Sequence, residues 1–288
     1  MSLITRGLYF TYQPNSPYET KVLQDINLEI TEGEFVGLIG HTGSGKSTLI
    51  QHFNGLLKPS AGKVYVDGQD ISQKGIKLKA IRQKVGMVFQ YPEHQLFEET
   101  VFKDIAFGPE NMKLSPQAVT KRVKNAMRMV GLDYQRYRDL SPFGLSGGEK
   151  RRAAIAGVLA MNPRYLILDE PTAGLDPKGR EEILEHIVRI HQDEGITVIL
   201  VSHNMDDVAR IVERLIVINQ GEILYDKPVR QVFAEHEGLS KIGLDIPTVT
   251  KLMLRLQEKG WPVRTDVITV EEARDEILKV VRGGHHHA

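Results

Sequence analysis

Short apolar runs alternate with stretches of helical periodicity along this chain of 288 residues. Strands that alternate with helices in this way predict an α/β protein with a largely parallel sheet. Four apolar runs are candidates for its buried strands: FVGLIG (35–40), VGMVFQ (85–90), RYLILDE (164–170) and ITVILVSH (196–203).

Each of these runs ends in glycine or in a polar residue. In open α/β sheets, ligands bind at the carboxyl ends of the strands. If the four strands lie in one parallel sheet, their ends form a single rim. The sequence therefore predicts one site there, lined by Gly40, Gln90, Asp169, Glu170 and His203.

The first rim element is GHTGSGKST, residues 40–48, which fits the pattern G-x-x-x-x-G-K-[ST]. In such a loop the glycines let backbone N–H groups surround phosphates, and the following helix offers its positive end. We expect Lys46 to reach the β and γ phosphates of ATP and the Ser47 hydroxyl to ligate Mg²⁺. The other residues predicted to bind ATP are Gly40, His41, Thr42, Gly43, Ser44, Gly45 and Thr48.

The second rim element is LILDEP, residues 166–171, which supplies two carboxylates. Paired acids at the end of a strand can simply cap the next segment. Beside a phosphate loop, Asp169 is better interpreted as a Mg²⁺ ligand acting through water. Glu170 is placed to polarise the attacking water as a catalytic base.

Gln90 and His203 acquire a predicted function only from their position on the rim. A lone histidine after a strand is commonly a structural hydrogen-bonding residue. On this rim, His203 is placed to hold the γ-phosphate and the water. Gln90 is placed to contact Mg²⁺ and the water, at the start of the loop YPEHQLFEET, residues 91–100.

Tyr12 ends the predicted strand LYFTY and is expected to stack on the adenine of ATP. Strand alternation also puts it on the same face as Leu8 and Phe10, so packing in the core is the alternative.

Composition excludes several classes of function. Lys plus Arg and Asp plus Glu both number 37, so no net basic field favours nucleic acid as the partner. No cysteine is present, which excludes disulfides and thiolate chemistry. The N-terminus lacks the apolar core of a signal peptide, and no uninterrupted apolar window approaches the length of a membrane span, so we expect a cytoplasmic chain. The closing GGHHHA, residues 283–288, is interpreted as the remnant of an expression tag.

The phosphate loop, Gln90, LSGGE (145–149), LILDEP, GLD (174–176) and His203 follow one another in a characteristic order. Over residues 3–235 the chain resembles the ATP-binding cassette (ABC) ATPases. The resemblance implies a P-loop RecA-like α/β core, an N-terminal antiparallel β region and an α-helical signature subdomain at about residues 91–157. It implies a nucleotide-binding domain over residues 1–235, followed by a small helical extension over residues 236–282, and it puts Asp176 in a loop at a dimer interface.

The same resemblance implies that LSGGE contacts ATP held by a second cassette in a head-to-tail dimer. Ser146 would supply a hydroxyl, and Gly147 and Gly148 would supply backbone N–H groups at a helix N-terminus. Most cassettes have glutamine where this chain has Glu149, and a carboxylate beside a triphosphate is unfavourable. We therefore expect Glu149 to point at its own helix N-terminus. A donor supplied in trans is worth roughly 10³–10⁵ in rate, so the isolated chain should hydrolyse ATP poorly.

Three further stretches are similar to the energy-coupling factor (ECF) transporter ATPases, particularly their A-prime type: residues 91–111, 150–180 and 238–247. This similarity implies a peripheral ATPase on the cytoplasmic face of the cell membrane, paired with a second, related ATPase as a heterodimer. Its other partners would be a transmembrane coupling subunit and a substrate-binding membrane subunit, and the cargo would be vitamins or transition-metal ions. The alternatives are an ATPase of another ABC transporter and a soluble, non-transport ABC ATPase. A chromosome-organising ATPase would need a long coiled coil, but only about 120 residues separate the phosphate loop from LILDEP.

The loop after Gln90 is expected to form a groove for a coupling helix of the transmembrane subunit. An acidic and apolar surface suits a helix with apolar anchors and basic residues, although a solvated loop is the alternative. The residues concerned are Tyr91, Leu96, Phe97 and Phe102 with Glu93, Glu98 and Glu99.

Two amphipathic helices are predicted in the C-terminal extension. The first carries apolar residues at helical spacing and ends near Gly260, and the second follows a capping box, TVEE, at residues 269–272. These helices either pack on the chain's own core or extend the contact with the second ATPase. Their predicted apolar stripes are Val249, Leu252, Met253 and Leu256, then Val270, Ala273, Ile277 and Val280.

Overall fold

The structure is a computed structural model, and it describes residues 1–73 and 75–283. The strands are β1 (Ser2–Tyr12), β2 (Thr20–Thr31), β3 (Phe35–Ile39), β4 (Ala61–Val66), β5 (Gln69–Asp70), β6 (Val85–Val88), β7 (Tyr165–Asp169), β8 (Thr197–Val201), β9 (Arg214–Asn219) and β10 (Glu222–Pro228). The helices are α1 (Lys46–Phe53), α2 (Leu78–Lys84), α3 (Val101–Asn111), α4 (Pro116–Met129), α5 (Tyr134–Tyr137), α6 (Gly147–Leu159), α7 (Pro177–Glu194), α8 (Met205–Ile211), α9 (Val229–Ala234), α10 (His236–Lys241), α11 (Thr248–Glu258) and α12 (Val270–Gly283). Short 3₁₀ turns lie at Pro92–Gln95 and Pro142–Gly144. Apart from Gly283, the proposed tag remnant lies outside the described residues.

The central sheet has the strand order β10-β9-β3-β8-β7-β6. Its neighbours from β9 to β6 pair in parallel, and β10 joins β9 in an antiparallel pair. The four predicted strands β3, β6, β7 and β8 are thus confirmed as members of one parallel sheet. Every residue in them is buried, as expected for strands covered on both faces.

A second, antiparallel sheet with the order β2-β1-β4-β5 covers one face of the central sheet. Buried and exposed residues alternate along β1 and β2, which is typical of strands with one solvated face. This sheet is the N-terminal antiparallel β region that the resemblance predicted.

Alternation along the central strands divides the apolar core into two clusters. In β3, Val36 and Leu38 face the cluster that contains α1 and the antiparallel sheet. Phe35 and Ile39 face the other cluster, which contains α3, α4, α6 and α7. The helical part between β6 and β7 thereby packs onto the same sheet that ends at the predicted rim.

The C-terminal helices α11 and α12 enclose a small apolar cluster of their own around Met253, Val263, Val267 and Ala273. Two predicted stripe residues do not join it, since Val270 is 67% exposed and Leu252 is 44% exposed. The predicted capping box is half formed: Thr269 Oγ1 accepts the Glu272 N–H, but the Glu272 carboxylate accepts the N–H of Ile268 instead of that of Thr269. Arg230 of the cassette pairs with the same carboxylate.

Across residues 1–73 and 75–283, none of the helices combines the length and the apolar character that crossing a bilayer requires.

Candidate functional site

The phosphate-binding loop joins β3 to α1 and depends on glycine at particular positions. Gly45 has φ 108°, in the left-handed region, and a Cβ there would lie 2.8 Å from Leu23 Cδ2. A Cβ on Gly40 would lie 2.3 Å from the carbonyl oxygen of Ile218. Any larger residue at these two positions would therefore push the loop off β9 and β2.

Lys46 lies across this loop and is only 5% exposed. Its Nζ donates hydrogen bonds to the carbonyl oxygens of Gly40 at 2.7 Å and of His41 at 3.1 Å. Burial lowers the pKa of Lys46, although the charges of Glu170 and Asp169 oppose that shift. The ammonium is therefore held at the mouth of the loop, where backbone N–H groups and the N-terminus of α1 also point.

Asp169 and Ser47 come together between β7 and α1. The Ser47 hydroxyl donates to Asp169 Oδ2 at 3.2 Å, and burial raises the pKa of Asp169. A hydroxyl and a carboxylate oxygen are the hard ligands that Mg²⁺ prefers, so this pair fits the predicted metal site.

Glu170 occupies a strained turn directly after β7. Its φ is 51°, which is uncommon for a residue with a side chain. Burial, and then the charge of Asp169, raise the pKa of Glu170 to about 7. A carboxyl group with a pKa close to the working pH is suited to take a proton from water.

His203 follows β8 and lies beside this carboxylate. Its Nε2 is 3.3 Å from Glu170 Oε1, a close contact that does not reach hydrogen-bonding geometry. Burial, and then the charge of Lys46, lower the pKa of His203, which favours the neutral form of the ring. The structure thus brings Lys46, Ser47, Asp169, Glu170 and His203 to one rim, as the strand ends predicted.

Gln90 lies on the same edge of the sheet but outside this group. The strand β6 ends at Val88, two residues earlier than predicted, and the Gln90 side chain is exposed. In the described part of the chain it makes no hydrogen bond to the other rim residues.

Tyr12 sits at the boundary between the core and the loop. Its ring packs edge-on against Phe10 with centroids 4.7 Å apart, and its hydroxyl lies 3.3 Å from Thr48 Oγ1. The side chain is 39% exposed, whereas Leu8 and Phe10 are buried. Tyr12 therefore lies at the edge of the core, although strand alternation puts it on the same face as the buried Leu8 and Phe10.

The signature segment begins α6 with a complete capping box. Ser146 Oγ accepts the Glu149 N–H, and Glu149 Oε2 accepts the Ser146 N–H at 2.9 Å. Glu149 Oε1 accepts a further hydrogen bond from the Tyr137 hydroxyl at 2.7 Å. These contacts lower the pKa of Glu149 to about 2, chiefly through Tyr137 and Ser146. The expected orientation of Glu149, toward its own helix N-terminus, is confirmed.

The two signature glycines face open space. Ser146 and Gly147 are exposed, and a Cβ built on Gly147 or Gly148 would meet nothing within 4 Å. Asp176 is also exposed, and its carboxylate caps α7 by accepting the Gly179 N–H at 2.7 Å.

A cavity of about 480 Å³ lies between α2, α3 and α6. Its apolar lining includes Phe97 and Phe107, which are 58% and 47% exposed and pack edge-to-face. Of the predicted groove residues, Leu96 and Phe97 line it, but Tyr91 and Phe102 do not. The wall contributed by α6 and the turn after it was not predicted, although its residues recur at helical spacing: Ala153, Ala154, Gly157, Val158 and Met161.

The predicted acidic character of this groove is largely wrong. Glu93 pairs with Arg151 and Glu99 pairs with Lys103, so two of the three carboxylates are neutralised within the chain. The charged residues that do line the cavity are Lys79, Arg82 and Asp104.

Residues 23–173 match the family model described as ABC transporter. The chain is 55% identical over 285 residues to the energy-coupling factor transporter ATP-binding protein EcfA2 of Clostridium perfringens, covering 99% of this chain and 100% of that protein. It is 56% identical over 280 residues to the EcfA2 protein of Clostridium tetani, covering 97% of each.

Two solved structures are also similar to this chain. The structure of cbiO1 from Clostridium perfringens, described as part of the ABC transporter complex cbiONQ, has a TM-score of 0.75 and 39% identity, over 90% of this chain and 96% of that one. A dimeric post-hydrolysis state of the ATP-binding cassette MJ0796 bound to ADP and Pi has a TM-score of 0.70 and 31% identity, over 79% of this chain and 98% of that one.

Proposed function

We propose that this chain, which belongs to the ABC transporter family and within it to the energy-coupling factor ATP-binding proteins, powers the uptake of vitamins or transition-metal ions through membrane partner subunits. As a member of that family it is an ATPase. The observation that supports ATP hydrolysis is the juxtaposition of Ser47 with Asp169 and of Glu170 with His203 at one rim. The proposed role in transport rests on the similarity to the EcfA2 proteins.

In the proposed mechanism, Lys46 and the backbone N–H groups of the loop hold the phosphates of ATP, with Tyr12 against the adenine. Ser47, Asp169 and Gln90 would hold Mg²⁺, which when bound neutralises the charge that develops on the phosphoryl oxygens. Glu170 accepts a proton from the attacking water, and its raised pKa lets it do so near neutral pH. His203 fixes the γ-phosphate and the water.

We further propose that the site is completed by a second, related ATPase. The exposed Ser146 hydroxyl and the open Gly147 and Gly148 backbone support binding of the partner's γ-phosphate. Because Glu149 is turned back onto its own helix, it presents no carboxylate to that phosphate. Asp176 stands on the exposed turn before α7, consistent with a role in the same interface.

The cavity between α2, α3 and α6 is our proposed docking site for a helix of the transmembrane coupling subunit. The exposed rings of Phe97 and Phe107 support anchoring through apolar contacts. Such docking would hold the chain at the cytoplasmic face of the membrane, and the substrate-binding membrane subunit would choose the cargo.

Co-purification from native membranes tests this assembly. We expect the wild-type chain to bring a second ATPase and integral membrane proteins with it. Phe107→Asp should lose the membrane proteins and keep the second ATPase, since a carboxylate cannot enter an apolar docking contact. Tyr18→Asp alters another exposed aromatic, away from the cavity lining, and should retain both. If the wild-type chain brings no membrane protein, or if Phe107→Asp keeps them all, the docking proposal is wrong.

A further inference from the structure

Arg151 is a charged side chain that the chain buries almost completely. It lies in α6, two residues after Glu149, and is only 2% exposed. In the structure Arg151 points away from Glu149, and Arg152 is the basic residue that acts on Glu149.

The guanidinium of Arg151 contacts two separate segments of the chain. On one side, Nη1 donates to the carbonyl oxygens of Pro171 at 3.0 Å and Ala173 at 2.7 Å. On the other side, Nη2 and Nε donate to the carboxylate of Glu93, with the shortest contact at 3.0 Å. A planar guanidinium with five N–H donors can satisfy both sides at once, which a lysine ammonium cannot do.

The first segment is the turn that carries Glu170. The Ala173 N–H donates to the Glu170 carbonyl oxygen at 3.1 Å, which closes the turn on itself. Arg151 holds the same turn through Pro171 and Ala173. Because Glu170 already has an uncommon φ of 51°, its position depends on contacts that fix this turn from outside.

The second segment is the 3₁₀ turn Pro92–Gln95, which carries Glu93 and follows Gln90. The next two residues, Leu96 and Phe97, line the cavity between α2, α3 and α6. One buried side chain therefore stands between the cavity and the catalytic turn.

We propose that Arg151 is a positioning residue that links the Pro92–Gln95 turn to the turn after Glu170, so that displacement of the first turn moves the Glu170 carboxylate. The inference deepens the proposed function, and it rests on Glu170 acting as the base. The Glu93 carboxylate orients the Arg151 guanidinium by pairing with it. The guanidinium in turn fixes the turn after Glu170 by its hydrogen bonds to the backbone.

The test measures kcat and KM for MgATP in the complex with the co-purified second ATPase, for the wild-type chain and four variants. Arg151→Met removes the guanidinium, and a misplaced catalytic group should lower kcat by ~10–100-fold with KM nearly unchanged. Glu93→Gln keeps the shape of the side chain but removes its charge, and should lower kcat by about 3–10-fold. The double variant should match Arg151→Met alone, because Glu93 acts only through Arg151.

Arg122→Met is the matched control. Arg122 Nη1 donates to the carbonyl oxygens of Ala160 and Met161 at the other end of α6, so the same chemistry is removed far from Glu170. It should lower the thermal midpoint and leave kcat unchanged. If Arg151→Met fails to fold, Arg151→Lys replaces it, and we expect no rescue of kcat, since one ammonium cannot bridge both turns.

The inference is overturned if Glu93→Gln retains the wild-type kcat, or if its effect is undiminished in the Arg151→Met background. Equal losses of kcat in Arg122→Met and Arg151→Met would also overturn it, since they would indicate only a general effect on α6. These outcomes differ from failure of the proposed function, in which the wild-type chain assembled with the co-purified second ATPase would show no ATP hydrolysis.

Discussion

Replacing Glu170 by glutamine is expected to stop hydrolysis and, above neutral pH, to stabilise the folded chain. Loss of the general base should lower turnover by ~10²–10⁴ while ATP still binds. The stabilisation follows because the carboxylate is buried beside Asp169, which raises its pKa from 4.5 to about 7. Glutamine has nearly the same shape and cannot ionise.

The sign and size of this effect follow from proton linkage. At a pH between 4.5 and about 7, the folded chain keeps a proton on Glu170 that the unfolded chain has released. Since the folded state binds more protons in that window, the free energy of unfolding falls as the pH rises through it and stays lower above it. At ~1.36 kcal/mol per pKa unit, a shift from 4.5 to about 7 sets an upper limit of ~3 kcal/mol, and we expect ~1–3 kcal/mol.

Urea unfolding of the nucleotide-free chain at about pH 8.5 and about pH 5.5 measures the contribution of Glu170 ionisation to the free energy of unfolding. The advantage of Glu170→Gln over wild type should be larger at the higher pH, by ~1–2 kcal/mol. Glu213→Gln, which alters an exposed carboxylate, should show no such pH-dependent gain. Equal free energies of unfolding for Glu170→Gln and wild type at the higher pH, or a difference that does not shrink at the lower pH, would contradict this prediction.

Three further outcomes are expected. Glu149→Gln should lower the free energy of unfolding by ~1 kcal/mol, because a charged acceptor at the start of α6 is lost; a large gain in ATPase rate would instead mean that the carboxylate faces the phosphate. Tyr12→Ala should raise the KM for ATP by about tenfold and Tyr12→Phe should not, because stacking needs only the ring; equal KM values would favour the core-packing alternative. Removing residues from Thr248 onward should weaken binding of the second ATPase in a titration, while unchanged affinity would mean that α11 and α12 only pack on their own chain. This cut spares Leu239 and Leu244, which are buried in the cassette core.

The parts of the fold that could be predicted are those encoded locally. The central strands are continuous apolar runs, and their ends necessarily meet at one edge of a parallel sheet, which brings Lys46, Asp169, Glu170 and His203 together. The orientation of Glu149 was also predictable, because Ser146 and Glu149 form an S-x-x-E capping box within one turn of helix.

The parts that could not be predicted depend on partners distant in sequence. Glu93 looked like a surface carboxylate, yet its partner Arg151 lies 58 residues away and withdraws it from the proposed docking surface. Likewise Glu272 was expected to complete a capping box, but Arg230, 42 residues away, competes for it. Hydrophobic periodicity predicts on which face of a helix or strand a residue lies. It does not predict which charged residue of another element will contact that face.

Different contacts hold the two halves of the proposed ATP site in place. This difference determines which part of the site a partner can influence. On the loop side, Lys46, Ser47 and Asp169 are fixed by direct contacts with one another and with loop carbonyls. On the signature side, Ser146 is fixed by a capping box whose carboxylate is itself tied to Tyr137. Both halves are therefore organised within a single chain before any partner binds. Little rearrangement of Lys46, Ser47, Asp169 and Ser146 is then needed on closure. Gln90 and the Glu170 turn are the exceptions. The Gln90 side chain is exposed and must move to reach the proposed Mg²⁺ site. In our proposal the position of the Glu170 turn depends on Arg151 and, through Glu93, on the cavity wall. In the proposed assembly, a membrane partner would therefore act on the catalytic base and not on the nucleotide-binding loop.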